Sequence, residues 1–448
     1  MSEEKKNRQQ LACDYIHENY VAFNRLRYDL IAQKVQLLEE RWRYITNADI
    51  NSIVCDCCAE TGANITAKEI LTVLNAGSSY IPRVHPLRDY VLSLKPYTPD
   101  QPDWIDMVAR QVHVKGNDKT ECGINKDNLN NNSASPTLLS GSEYIYQQYQ
   151  QLGINNENNY SQASANVGRA QELSMLSSEK SAPLSSQNNP ADALWRLCFK
   201  KWFVAMVASW LKDDIVNHQV LVLIGRQGIF KTTWLERLIP PHLRDYCCKL
   251  ANATQLSKDD RLRIAEFGLI NMDELDAMTP RELSAMKSVI TASDVNERAA
   301  YGYTKERRVR LASFCASSNK REFLTDMTGN RRWLPFEVES IQNPFYTTQP
   351  YDLMYAEALY LIENDFNYWF DMEEIDTLEE HNEAFRAQDS EEQLLPILFD
   401  IPAEGKGEFM TTAQISERLV SYGNIKKPMS VSQLGMLLGK AGYKAVRP

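Results

Sequence analysis

The run Val220-Leu221-Val222-Leu223-Ile224, followed at once by Gly225-Arg226-Gln227-Gly228-Ile229-Phe230-Lys231-Thr232-Thr233, constrains this chain more than any other segment. Unbroken apolar residues without polar alternation predict a strand buried on both faces. A glycine-bearing turn comes next, then Trp234-Leu235-Glu236-Arg237-Leu238-Ile239, which reads as a helix. Strand, turn and helix in that order suit a parallel α/β sheet, and the turn has the chemistry of a triphosphate cradle. Backbone N–H groups from Gly225 through Gln227, Gly228, Ile229 and Phe230 to Thr233 would face the phosphates. Lys231 would reach the β/γ oxygens of ATP, and Thr232 would hold Mg²⁺. One position departs from the usual spacing. The residue before the lysine, commonly a second glycine, is Phe230, which restricts φ and brings a ring where backbone and phosphate approach closely, while Gly228 offers flexibility nearby.

Three later segments repeat the theme of a buried strand with a polar end. Phe267-Gly268-Leu269-Ile270-Asn271-Met272-Asp273-Glu274 ends in adjacent carboxylates. In an ATPase, Asp273 would ligate Mg²⁺ directly or through its water, and Glu274 would polarise the attacking water. A solvated acidic loop is the plainer alternative. Arg310-Leu311-Ala312-Ser313-Phe314-Cys315-Ala316-Ser317-Ser318-Asn319 ends in an asparagine positioned to orient that water, although asparagine is also common in ordinary turns. Thr328-Gly329-Asn330-Arg331-Arg332-Trp333 carries two adjacent arginines, either of which would serve as an arginine finger on the transferred phosphoryl group.

On these motifs, together with Lys287-Ser288-Val289-Ile290-Thr291 and Arg298-Ala299-Ala300-Tyr301-Gly302, the segment from about Leu194 to Phe370 resembles the ATPase domain of virulence-associated E (VapE/VirE-type) proteins. These are encoded on bacterial prophages, genomic islands and conjugative elements, and are related to superfamily 3 helicases of the AAA+ class. The resemblance implies an ATP-driven motor or initiator acting on DNA in element replication, assembled as a ring. It also implies a β-hairpin between the second and third motifs that grips single-stranded DNA in a central channel, with Arg298, Tyr301, Tyr303, Lys305, Arg307 and Arg308 as contacts. Cations would follow the phosphates and tyrosines would stack on bases. A surface hairpin whose arginines pair with acidic neighbours fits these residues equally well.

The expected fold is α/β: an AAA+-like P-loop NTPase core of three layers, with an N-terminal helical region and a C-terminal winged-helix-like domain. Residues 1–115 read as the helical region, with apolar positions at Tyr15, Leu26, Leu30, Val35, Leu37 and Leu38. Residues 116–190 are rich in Asn, Ser and Gln and read as a flexible linker. The ATPase core spans 191–370, opening on the apolar helix Trp195 to Trp210. In 371–448, Thr411 and Ser430 would cap two short helices of helix-turn-helix type, with Gln433 as the base-reading candidate and Lys426, Lys427, Lys440, Lys444 and Arg447 near phosphates. A protein-binding winged helix is the near-equal alternative there.

Net charge is −10, so DNA contact must come from local patches rather than from an overall basic surface. No apolar run approaches the roughly 20 residues that span a bilayer, and no secretion signal is evident, so a cytoplasmic location without membrane contact is expected. Nine cysteines are expected to be reduced thiols, and Cys55-Asp56-Cys57-Cys58 reads as part of a helix. Without a catalytic carboxylate set before the linker, priming would need a separate primase. Three functions remain open: a motor, a switch that remodels a partner without unwinding, and a DNA-binding adaptor whose loop only holds nucleotide.

Overall fold

In the computed structural model, which describes residues 7–75, 81–116, 189–250, 258–297, 306–324, 330–401 and 407–446, short strands occupy much of the first apolar stretch. β1 (Leu26–Asp29), β2 (Lys34–Leu38), β3 (Trp42–Tyr44) and β4 (Arg83–Val84) form a sheet in the order β3-β2-β1-β4, with only the β1–β4 pair parallel. This corrects the helical reading of 1–115. Leu26, Val35, Leu37 and Leu38 sit on strands, and the first three are buried against the helices Arg8–Ile16, Asn47–Thr61 and Ala67–Asn75. The helix Asn47–Thr61 starts at a Thr46/Asp49 capping box and stops at Gly62, whose φ of 67° suits glycine. Cys57 is buried in its apolar face.

The larger sheet collects distant parts of the chain. β5 (Val112–Val114), β6 (Val220–Ile224), β7 (Cys247–Leu250), β8 (Leu269–Met272), β11 (Ser313–Ser318) and β12 (Trp333–Ile341) lie in the order β5-β12-β6-β11-β8-β7. All neighbours are parallel except the antiparallel edge strand β5. The residues of β5, assigned by sequence to the N-terminal region, therefore complete the central sheet. Between β8 and β11, β9 (Asp294–Glu297) and β10 (Glu306–Val309) form the expected hairpin.

The helix Pro190–Leu211 is the main support of this sheet. Asn189 caps it, Pro190 occupies its first turn, and nearly every residue from Leu194 to Trp210 is buried. Its tryptophans also act as polar anchors: Trp195 Nε1 donates to Ala109 O at 2.9 Å, Trp202 Nε1 to Phe314 O at 3.0 Å and Trp210 Nε1 to Gly268 O at 3.2 Å. One helix thereby holds three separate segments while burying large rings. The small N-terminal sheet is tied in through Asp29, which is fully buried and accepts from Tyr44 Oη at 2.8 Å, Tyr246 Oη at 2.7 Å and the Ile31 amide at 2.8 Å.

Two compact units result, one comprising residues up to Arg321 with Arg331–Glu379, the other Glu322–Asn330 with Glu380–Pro448. The boundary falls inside the helix Met372–Glu383, whose Leu378 belongs to the main core, rather than at 370. In the second unit, the helices Ser390–Leu398, Thr412–Gly423 and Val431–Lys440 enclose Leu395, Leu419, Leu434, Leu437 and Leu438. Capping boxes at Thr411/Gln414 and Ser430/Gln433 start the last two helices, as the sequence suggested. Gln433 Oε1 accepts from the Ser430 amide at 3.1 Å and hydroxyl at 2.7 Å, and Lys440 pairs with Glu383 at 2.6 Å. Among the described residues this part has no strand that would form a wing. Residues 117–188, most of the linker reading, lie outside the described residues, as does Arg447. Among the described residues no helix is long and apolar enough to cross a membrane.

Arg310 fixes the foot of the hairpin. It is almost wholly buried over the Phe314 ring and donates to the carbonyls of Ala312 (2.9 Å), Ala292 (3.3 Å), Asn217 (2.8 Å) and Ile290. Replacing it by leucine strands these acceptors, each costing about 1–3 kcal/mol when left unmade. Arg310→Leu is expected to lower the thermal midpoint by several degrees and to lose hydrogen-exchange protection first in β9–β11. A midpoint equal to wild type would refute this anchoring role.

Candidate functional site

Because β6, β8 and β11 are parallel and adjacent, their carboxyl ends open at one edge of the sheet. Open α/β sheets bind ligands at such edges. Gly225 follows β6, Asp273 follows β8 and Asn319 follows β11, so motifs nearly a hundred residues apart converge.

The loop after β6 is pinned by the Gly225 amide, which donates to Ser318 O at 3.1 Å. Gly225 packs too closely for a side chain: an added Cβ would lie 2.8 Å from Val338 O and 2.9 Å from Ile229 Cδ1. Gly228 has φ 86°, a conformation that costs glycine nothing. Phe230 has φ 70° and ψ 16°, the left-handed region that glycine would enter freely. The backbone at Phe230 thus takes the turn a glycine would take, at a cost of about 1–2 kcal/mol, and its ring packs edge-to-face on Phe345 with centroids 6.1 Å apart. Gln227 is exposed, and Ile229 and Thr233 are half-buried along the same loop and first helical turn.

Lys231 begins the helix Lys231–Glu236 and is 6% exposed. Its Nζ donates to Gly225 O at 2.7 Å, Arg226 O at 2.8 Å and Asn319 Oδ1 at 3.2 Å. Burial pushes its pKa down, against the pull of Asp273 and Asp276. Asp273 receives three donors: Thr232 Oγ1 at 2.9 Å and Ser317 Oγ at 2.6 Å on Oδ1, and Lys249 Nζ at 2.7 Å on Oδ2. Burial opposes its ionisation, yet the hydrogen bonds from Lys249, Ser317 and Thr232 outweigh that and hold the carboxyl below the ordinary aspartate range. Two hydrogen-bonded sets therefore meet at this edge, Lys231 with Asn319 and Asp273 with Thr232, Ser317 and Lys249, adjacent through the Lys231–Thr232 peptide and through the charge of Asp273 acting on Lys231. The neighbouring Glu274 is exposed, in a left-handed backbone (φ 55°) at the tip of β8.

The hydroxyls of Thr232 and Ser317 and both Asp273 oxygens form an all-oxygen donor set, the kind a hard divalent cation such as Mg²⁺ takes. Among the described residues no three His, Cys, Asp or Glu side chains cluster to hold a metal alone. A cation here would complete its shell with phosphate oxygens and water, as Mg²⁺ commonly does.

Other expected residues lie elsewhere. Trp333 pairs with Val220 and Leu334 with Leu221, so Arg331 and Arg332 stand where β12 begins, at the edge opposite Gly225. His218 lies near them: burial lowers its pKa, and the charges of Arg310, Arg332 and Arg331 add to the shift. On the hairpin, Arg307 is 75% exposed and pairs with Asp294 at 2.9 Å, whereas Arg308 is only 9% exposed and is held by Glu266 at 2.8 Å. Arg308 is thus a structural ion pair rather than an open phosphate contact. Arg298, Tyr301, Tyr303 and Lys305 lie outside the described residues.

Three members of these two sets were not singled out from sequence. Ser317 precedes Asn319 by two positions, so strand alternation alone put it on the same face. Asp276, which accepts from the Asn319 amide at 3.2 Å, lay beside the carboxylate pair. Lys249 carried no local signal, because only the β7–β8 register brings it to Asp273.

Residues 184–387, a little under half of the chain, match the virulence-associated protein E-like domain. Among solved structures, an apo structure of the NrS-1 C-terminal region (305–718) aligns over 84% of this chain and 76% of its own, with 12% identity and a TM-score of 0.41. An A form of the same region aligns over 87% and 77%, with 10% identity and a TM-score of 0.39. No curated protein matches the chain.

Gly225→Ala forces either the Val338 carbonyl or the loop to move, an overpacking that costs about 1–3 kcal/mol. A clear fall in the thermal midpoint is expected. Gly435→Ala, where a Cβ would meet open space, is expected to cause no loss.

Proposed function

We propose that the chain is a Mg²⁺-dependent ATPase with a P-loop NTPase core of the AAA+ type, acting as a DNA motor in replication of a bacterial mobile element or prophage. The observation that carries this reading is the convergence, at the carboxyl edge of the sheet, of two bonded pairs from three strand ends, Lys231 with Asn319 and Thr232 with Asp273. The match of residues 184–387 to the virulence-associated protein E-like domain supports it.

In this reading Lys231 exchanges the carbonyls of Gly225 and Arg226 for β/γ-phosphate oxygens, a favourable trade for a buried ammonium. Thr232 and Asp273 hold Mg²⁺, which would neutralise charge across the phosphates. Glu274 takes the proton of the attacking water, and Asn319 orients it. Loop amides from Gly225 to Thr233 supply fixed dipoles to the phosphates. An arginine finger must reach the γ-phosphate from outside this edge, since Arg331 and Arg332 begin β12 at the other one. A neighbouring copy supplies it, so activity requires an oligomer, which we take to be a ring. Single-stranded DNA is gripped by the β9–β10 hairpin, with Arg307 as the exposed cation, and a separate primase supplies primers.

The test is Mg²⁺-dependent ATP hydrolysis with and without single-stranded DNA. Wild-type turnover is expected to rise with DNA and to fall at least about 100-fold in Lys231→Ala and in Glu274→Gln. Wild-type turnover no higher than that of Lys231→Ala, in an intact oligomer, would leave a DNA-binding adaptor. Turnover without strand displacement on forked DNA would leave a remodelling switch. Mixing Lys231→Ala with an Arg331→Ala/Arg332→Ala double variant should restore part of the activity, because mixed interfaces pair an intact site with an intact finger. No restoration would contradict action between copies.

A further inference from the structure

We propose that Lys249 is a positioning residue of this site, a tethered cation that holds the Asp273 carboxylate and competes with the divalent metal for it. The inference rests on the nucleotide reading above and adds a residue to it. Lys249 sits on β7 in register with Asn271, two positions before Asp273 on the neighbouring strand. Its Nζ lies 2.7 Å from Asp273 Oδ2, while Oδ1 is already shared by the hydroxyls of Thr232 and Ser317. Both oxygens of the carboxylate are thus engaged, and the Lys249 ammonium supplies the positive charge that a metal would otherwise bring.

Lys249 also has a second acceptor within reach. Glu236, at the end of the helix that Lys231 begins, lies 4.0 Å from the same Nζ. About half of the Lys249 side chain and two-fifths of Glu236 are exposed, so moving the ammonium from Asp273 to Glu236 buries no charge. When a divalent cation bridges Thr232 and Asp273, Lys249 transfers to Glu236 and stays in the site without opposing the metal. Removing the ammonium takes away the competitor and leaves a carboxylate more negative toward Mg²⁺. For a half-exposed pair the gain is modest, about two- to fivefold in affinity.

The experiment uses the full chain and a fluorescent, non-hydrolysable ATP analogue. Binding is measured in EDTA and then as Mg²⁺ is titrated, for wild type, Lys249→Met, Lys249→Arg and Glu236→Gln. The Mg²⁺ half-saturation point is expected to fall about two- to fivefold in Lys249→Met and to return toward wild type in Lys249→Arg. In Glu236→Gln, which removes the alternative acceptor, it is expected to rise. Affinity in EDTA should not increase in Lys249→Met. An unchanged or raised Mg²⁺ requirement in Lys249→Met overturns the proposal and leaves the nucleotide site standing. Analogue binding absent from every protein, wild type included, overturns the nucleotide reading and this proposal together.

Discussion

Parallel pairing of β6 with β11, and of β11 with β8, is the constraint from which the rest of the molecule follows. Register fixes more than strand order: Ser318 pairs with Ile224 and Ala316 with Met272, so three chain reversals open side by side. Parallel strands cannot be joined by tight turns, so each crossover must pass over a face of the sheet and bury apolar surface there. The helix Pro190–Leu211, which leads into β6, also buries its apolar surface in the core of the sheet, and its indole N–H groups donate to carbonyls of strand-bearing segments. A cluster of polar side chains can be rigid at this edge because so little of what lies beneath it is polar.

The site stores local strain on this rigid base. Phe230 and Glu274 both adopt left-handed backbones, one in the loop after β6 and one directly after β8. Such residues persist only where surrounding structure over-determines them, and they gather at functional sites. Around them, the polar groups are already paired within the chain. Lys231 rests on backbone carbonyls, and Lys249 and two hydroxyls rest on Asp273, so each donor is satisfied before a ligand arrives. In the proposed function, binding phosphate and metal would exchange one set of partners for another rather than build a network from solvent. The Phe230 substitution therefore alters a side chain while leaving the turn's backbone as a glycine would have it.

Legibility in the sequence followed range. The strand, loop and helix at 220–236, the acidic end of β8 and the asparagine after β11 were readable because each motif is local, an apolar run with a polar terminus. The Thr411 and Ser430 caps were readable for the same reason. The N-terminal sheet was not. Its strands are three to five residues long apart from the two-residue β4, too short for alternation to declare itself, and Gln36 is buried where polarity argued for exposure. That burial depends on Arg27, whose Nε donates to Gln36 at 2.7 Å, a partner no periodicity reveals. Lys249 and the inward turn of Arg308 belong to the same class, since each is decided by a carboxylate from another strand or helix.

A structure of the chain with Mg²⁺ and a non-hydrolysable ATP analogue tests the central claim most directly. Phosphates are expected against the 225–233 loop, with Lys231 Nζ moved from the carbonyls of Gly225 and Arg226 onto a phosphate oxygen. Analogue bound elsewhere, or Lys231 still on both carbonyls at saturating ligand, would contradict it.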